Sequence, residues 1–240
     1  MKKDPYEKLL GRKRKWTPVQ TAPGKLKEGA EETIFRALSL RHMELPVGAF
    51  ISEALTKDVP RTARTLLNSN VTDEENHDLA LGYIANSIGV DPTAEYEAFR
   101  LREAWESHPD HTILKALVAE RAIFFVLLPF FRFCGDPGLR TVSADISRDE
   151  QIHVATNSLV CLDMGLSWSQ SLDKLRKATI NWVFQPLGIN TTDKYLDKNF
   201  WLDCSDRLMY EGKAPQLSDT QRARMPAFFE HSNVNLPQYA

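Results

Sequence analysis

Ser147-Arg148-Asp149-Glu150-Gln151-Ile152-His153 contains a Glu-x-x-His pair, and Glu74-Glu75-Asn76-His77 repeats that spacing earlier in the chain. Residues three apart share one face of an α-helix, so each motif can turn a carboxylate and an imidazole toward one cation. One such match arises often by chance. Here each motif also has a glutamate thirty residues upstream, Glu44 ahead of Glu74 and Glu120 ahead of Glu150. That interval is about two antiparallel helices and a turn, which brings Glu44 beside Glu74 and Glu120 beside Glu150. One Glu from each of two helices, with Glu-x-x-His from each of two others, is the ligand pattern of di-metal carboxylate bundles. The spacing predicts an all-α fold with two metal ions held in its core by Glu44, Glu74, His77, Glu120, Glu150 and His153.

Glu120 is the most telling of the six, because it sits between Leu117, Val118, Ala119 and Ile123, Phe124, Phe125. A buried, unpaired carboxylate costs several kcal/mol, so a residue there needs a cation. Arg121 is adjacent but faces about 100° away on a helix. Glu44 has a rival in Glu53, and the matched spacing selects Glu44. Four carboxylates and two imidazoles suit hard or borderline divalent ions such as iron or manganese, where a thiolate-rich set would suit zinc or copper. Their four negative charges neutralise two M²⁺ ions.

Outward from these motifs the chain reads as helices. Residues 28–41 favour helix, with Ile34, Leu38 and Arg41 on one face, and the helix continues through Pro46 with a kink into 47–55. Thr72 followed by Glu75 reads as a capping box that starts a second helix at 73–88, striped by Leu79, Tyr83, Ile84 and Ile88 and stopped by Gly89. A polar helix over 93–107 is broken at His108-Pro109-Asp110, and a long apolar helix follows over 112–133. After the turn Gly135-Asp136-Pro137-Gly138 comes a helix over 139–162, and Ser167 caps another from Trp168 toward Trp182. Residues 1–27 form an extended arm marked by Pro18, Pro23 and Gly24, residues 28–210 the helical domain, and residues 211–240 a tail suited to a partner.

The chain of 240 residues is 42% hydrophobic and 26% charged, which is ordinary for a globular protein. Its longest apolar run, 122–131, is about half the ~20 residues of a membrane span. Residues 1–16 are basic and polar without an apolar signal core, so a cytoplasmic location is expected. Cys134, Cys161 and Cys204 are widely spaced, with neither a disulfide framework nor a C-x-x-C pair. Net charge is −2, and the basic cluster at 12–15 is too short for a nucleic-acid groove and reads as part of a flexible arm.

Over residues 16–162 the sequence resembles the small, radical-generating subunit of class I ribonucleotide reductase, a ferritin-like protein. The segment 147–153 looks like that family's Arg-Asp-Glu-x-x-His helix, and Glu120 with Phe124 like its central Glu helix with an aromatic one turn on. Ile34-Phe35 before Glu44 and the stretch 48–55 after it look like the first ligand helix, and Lys15-Trp16-Thr17-Pro18 like the Trp-x-Pro ahead of it. The resemblance implies a ferritin-like bundle and a relay of Trp16, Asp149 and His77 that passes an oxidising equivalent toward a large catalytic subunit. A tail tyrosine, Tyr239 ahead of Tyr210, would complete it. It also implies a homodimer that reduces ribonucleotides only through that partner. One position departs: where the family stores a radical on tyrosine, one turn after the first motif histidine, this chain has Leu81. Tyr83 lies about 200° round the helix and is a poor substitute. The oxidant would then reside at the metal pair, which favours manganese, alone or with iron. A ferritin-like di-metal oxidase or hydroxylase acting on an apolar ligand is the alternative enzyme, and a ferritin-like storage protein the non-enzymatic one.

Overall fold

The computed structural model describes residues 4–57 and 59–210. Ten α-helices account for most of them, and among the described residues the only β pairing is an isolated bridge between Gly188 and Asp197. None of these helices is long and apolar enough to cross a membrane.

The arm is a bound strap with a helix of its own, α1 (Pro5–Leu10), which the prediction of an extended, flexible segment missed. Asp4 caps it by accepting from Tyr6 N, and Pro5 starts it where a missing N–H costs nothing. Tyr6 is buried and donates its hydroxyl to Asp163 at 2.7 Å. Further along, Ser87 donates to Thr21 O at 3.0 Å and Gly24 N to Asp136 Oδ2 at 2.9 Å. Gly24 is required, because a Cβ there would run into the Pro137 ring.

The ligand helices follow. The chain runs from α2 (Glu31–Ser39) through a 3₁₀ turn (Leu40–Met43) into α3 (Glu44–Leu55). Pro46 stands in the first turn of α3, where its absent N–H is no loss, and the predicted kink takes the form of the 3₁₀ turn before it. The helix predicted from residue 73 is α4 (Arg64–Ile88), nine residues longer at its start. Thr72 is no cap; its hydroxyl bonds back to Asn68 O at 3.4 Å inside the helix. The stripe that α4 buries runs Leu66, Leu67, Asn70, Glu74, His77, Leu81, Ile84, and Leu79 is exposed. Its middle is polar, so apolar periodicity could not reveal it.

After α5 (Pro92–Ser107) the long apolar helix is three pieces: α6 (Thr112–Ala119), a π-helical turn (Glu120–Phe124) and α7 (Phe125–Cys134). Next come α8 (Pro137–Asp163), α9 (Gln170–Phe184) and α10 (Lys198–Tyr210). Ser169, and not Ser167, caps α9 by accepting from Leu172 N at 3.1 Å. Helices α3, α4, α8 and α6 form a closed ring of neighbours, with α7 continuing along α8. Gly48 lets α3 approach α4, since a Cβ there would come within 3.3 Å of Glu74 Cβ. Outside the ring, α9 and α10 back the π turn, held by Arg176, which donates to Asp173, Ser205 and Asp206. The three cysteines are free and buried, and burial raises each thiol to about 12, which leaves them packing residues.

Candidate metal centre

The first turn of α3 supplies Glu44, α4 supplies Glu74 and His77, the π turn opens on Glu120, and α8 supplies Glu150 and His153. All six side chains are buried, at 2% exposure or less, and they meet at the centre of the ring. Two overlapping groups form, each with its donor atoms within 4.8 Å of one another: Glu44, Glu74, His77 and Glu150, and Glu74, Glu120 and His153. Glu53, the rival of Glu44, is exposed and pairs with Lys57.

The two motif glutamates lie between the imidazoles. His77 Nδ1 is 3.3 Å from Glu74 and 3.4 Å from Glu150, and His153 Nδ1 is 2.9 Å from Glu74 and 3.8 Å from Glu150. Glu44 and Glu120 stand at the two ends, 3.6 Å from His77 Nδ1 and 3.7 Å from His153 Nδ1. The ring centroids of the imidazoles are 5.6 Å apart. Such an arrangement offers each of two cations one imidazole and one terminal carboxylate, with two carboxylates able to bridge.

Buried polar atoms normally have hydrogen-bond partners. Here Glu44 Oε2, both oxygens of Glu74 and of Glu150, Glu120 Oε1 and Nδ1 of both histidines have none. Lone pairs left unpaired on six convergent side chains fit a pair of cations, and the hard oxygen and imidazole donors fit iron or manganese. The outer nitrogens are held: His77 Nε2 is 3.3 Å from Asp149 Oδ2 and His153 Nε2 is 3.0 Å from Asp73 Oδ2. An Nε2–H that donates outward leaves Nδ1 free to face the centre.

Burial and crowding dominate the electrostatics. Burial, reinforced by neighbouring carboxylates, lifts the acids of Glu44, Glu120 and Glu150 above the usual range. Burial would also raise Glu74, but His153 beside it holds it low. Burial alone would depress both imidazoles. The hydrogen bond to Asp149 and the close carboxylates of Glu150, Glu44 and Glu74 instead raise His77 well above its ordinary value, and Glu74, Asp73 and Glu150 lift His153 to about 10. Four carboxylates packed this closely need positive charge among them, supplied by protons or by metal.

The backbone that carries this cluster is similar in fold to a crystal structure from Bacillus halodurans assigned to class I ribonucleotide reductase. The TM-score is 0.60, over 97% of this chain and 95% of that chain, at 14% sequence identity. No family model and no curated protein matches the sequence. The architecture is a ferritin-like helical bundle. At 14% identity the likeness is one of fold, and the chemistry rests on the side chains.

Around the cluster, Trp16 from the arm donates Nε1–H to Asp149 Oδ2 at 2.6 Å, and its ring lies 6.2 Å from that of His77. Asp149 is buried. Leu81 is buried one turn after His77, and Phe124 is buried at the end of the π turn. Tyr83 is half-buried, and Tyr210 ends α10 with its hydroxyl on Asp173. Tyr239 and the tail 211–240 lie outside the described residues.

Sequence reasoning missed Asp73, Lys13, Asn157 and the π turn. Asp73 had a signal: both motifs read Asp-Glu-x-x-His, Asp73 to His77 and Asp149 to His153. Asn157, one turn after His153, donates to Glu120 Oε2 at 2.6 Å and was legible only as a polar position on a helix. The π turn had no signal. Within it the Ala122 carbonyl accepts from Ser205 Oγ of α10 at 2.6 Å, while Arg121 turns away and donates to Leu208 O.

Proposed function

We propose that this chain is a small subunit of class I ribonucleotide reductase type, in which a dinuclear manganese or iron centre held by Glu44, Glu74, His77, Glu120, Glu150 and His153 supplies the oxidant that starts radical reduction of ribonucleotides in a separate large subunit. The observation that carries the reading is the hydrogen-bonded line from His77 through Asp149 to Trp16, which runs from the buried centre to a half-buried indole on the arm. A site that only stored metal or oxidised a bound substrate would have no use for an aromatic exit of this kind. The solved neighbour assigned to class I ribonucleotide reductase is in keeping with it.

When bound, the metal pair would supply one-electron oxidising power. The protein's own part is to hold the donors and to manage protons. Asp149 accepts from both Trp16 Nε1–H and His77 Nε2–H, so it fixes the imidazole with Nδ1 inward and can take the indole proton as Trp16 gives up an electron. Leu81 and Ile84 on α4, and Leu117 and Phe124 just before and within the π turn, are buried on the elements that carry the donors, whose own burial keeps water from them. A second copy of this chain and the tail 211–240 as the large-subunit contact complete the proposal.

The test is reconstitution of the full chain with Mn²⁺, Fe²⁺ or both, followed by an assay with the large subunit of the same organism. Nucleotide reduction that requires both metal and large subunit supports the reading. A second reading, a di-metal oxidase of an apolar ligand, is favoured by Leu81 in place of a storage tyrosine; it is recovered if a metal-loaded chain turns over such a ligand without the large subunit.

A further inference from the structure

The arm caps both outer aspartates, and it does so unequally. Asp73 accepts from His153 and Asp149 from His77, each reaching across to the imidazole of the other helix, so the two Asp-Glu-x-x-His motifs form a crossed pair. Trp16 closes one side by donating to Asp149. Three residues earlier, Lys13 closes the other: its ammonium ion-pairs with Asp73 and donates to Asn70 Oδ1 at 2.8 Å. The cap on Asp149 is a neutral indole and the cap on Asp73 is a cation.

Lys13 is no ordinary surface lysine. Its side chain is 9% exposed and that of Asp73 14%, so water screens the pair little, whereas an exposed pair would be worth almost nothing. Both ends are fixed, Asp73 on α4 and the arm by Tyr6 on Asp163. A carboxylate that shares its charge with an ammonium polarises the imidazole it holds less than one that meets only an indole. The positive charge also opposes a second cation nearby.

We infer that Lys13 and Asp73 are positioning residues that make the two metal positions unequal, with the ion beside His77 held tightly and the ion beside His153 held more weakly and exchanged first. This rests on the metal reading above and adds to it an order of occupancy that Lys13 sets.

Titration of the full chain with Mn²⁺, followed by calorimetry and by the electron paramagnetic resonance of free Mn²⁺, tests it. The wild type should show two unequal sites. Asp73→Asn should weaken the looser site and Asp149→Asn the tighter one, each by about 10- to 100-fold, which assigns them. Lys13→Met should tighten the looser site several-fold and leave the tighter one unchanged, while Lys13→Arg keeps the wild-type pattern and Lys15→Met, at an exposed position, changes nothing. A strap with a structural role only would loosen both sites and lower the melting temperature when cut. That result, or an unchanged looser site in Lys13→Met, overturns the inference and leaves the metal reading standing. A wild type that takes up no Mn²⁺ overturns both.

Discussion

Trp16 Nε1 lies 2.6 Å from Asp149 Oδ2, so a residue of the N-terminal arm is hydrogen-bonded to the helix that carries Glu150 and His153. Phenylalanine keeps an aromatic ring there, though a smaller one, but has no N–H and resists oxidation. Trp16→Phe should therefore keep its metal content and lose nucleotide reduction with the large subunit. Full turnover in that variant would remove the proposed route and favour the oxidase reading.

Glu74 and Glu150 each lie within 4 Å of both imidazoles, whereas Glu44 approaches only His77. Glu150→Gln should therefore depress binding at both metal positions and Glu44→Gln at one. Elemental analysis after gel filtration should give two ions per chain for the wild type, about one for Glu44→Gln and fewer for Glu150→Gln. Equal losses in the two variants would contradict the bridging arrangement.

Leu81 occupies the buried position one turn beyond His77, and an alkyl side chain cannot hold a stable radical. Electron paramagnetic resonance of the activated protein should lack the narrow signal of an organic radical, and Tyr83→Phe should leave activity intact. A narrow signal that vanishes with Tyr83, together with turnover, would place storage on that tyrosine.

The carboxylates around His153 raise it to about 10, so at neutral pH, without a cation, its imidazole carries protons on both nitrogens. Binding through Nδ1 must expel one of them. Metal affinity should rise with pH through the neutral range, by about tenfold per unit for each proton released. Calorimetry of Mn²⁺ binding in buffers of different ionisation enthalpy should show that release; a heat independent of buffer would contradict it.

Arg176 is buried and joins Asp173 of α9 to Ser205 and Asp206 of α10. Arg176→Met removes the buried cation that they share and leaves Asp173 with Lys177 as its cation, which should cost about 1.5–3 kcal/mol in chemical denaturation. Because Ser205 also donates to the Ala122 carbonyl of the π turn, the loss should reach metal affinity through Glu120 as well. A variant as stable as wild type would show that α10 does not support the centre.

Much of this protein is written in local sequence. Helices come from spacing within a few turns, so the all-α reading and the Glu-x-x-His faces are decided by residues near one another in the chain, and an acid at Glu120 inside an apolar run declares its own need for a partner. The start of α4 was hidden for a physical reason: its buried stripe turns polar at Asn70, Glu74 and His77, where it faces the centre, and hydrophobic periodicity fades where function begins. Only the folded chain decided that Asp73 serves His153 and Asp149 serves His77, because those contacts cross between helices about 75 residues apart and depend on the angle at which α4 meets α8. The same holds for Lys13, which the sequence presents as one charge in a basic run and the fold buries against Asp73. Whether a charged side chain is a solvated ornament or part of a site depends on what it is packed against, and packing is a property of the tertiary structure.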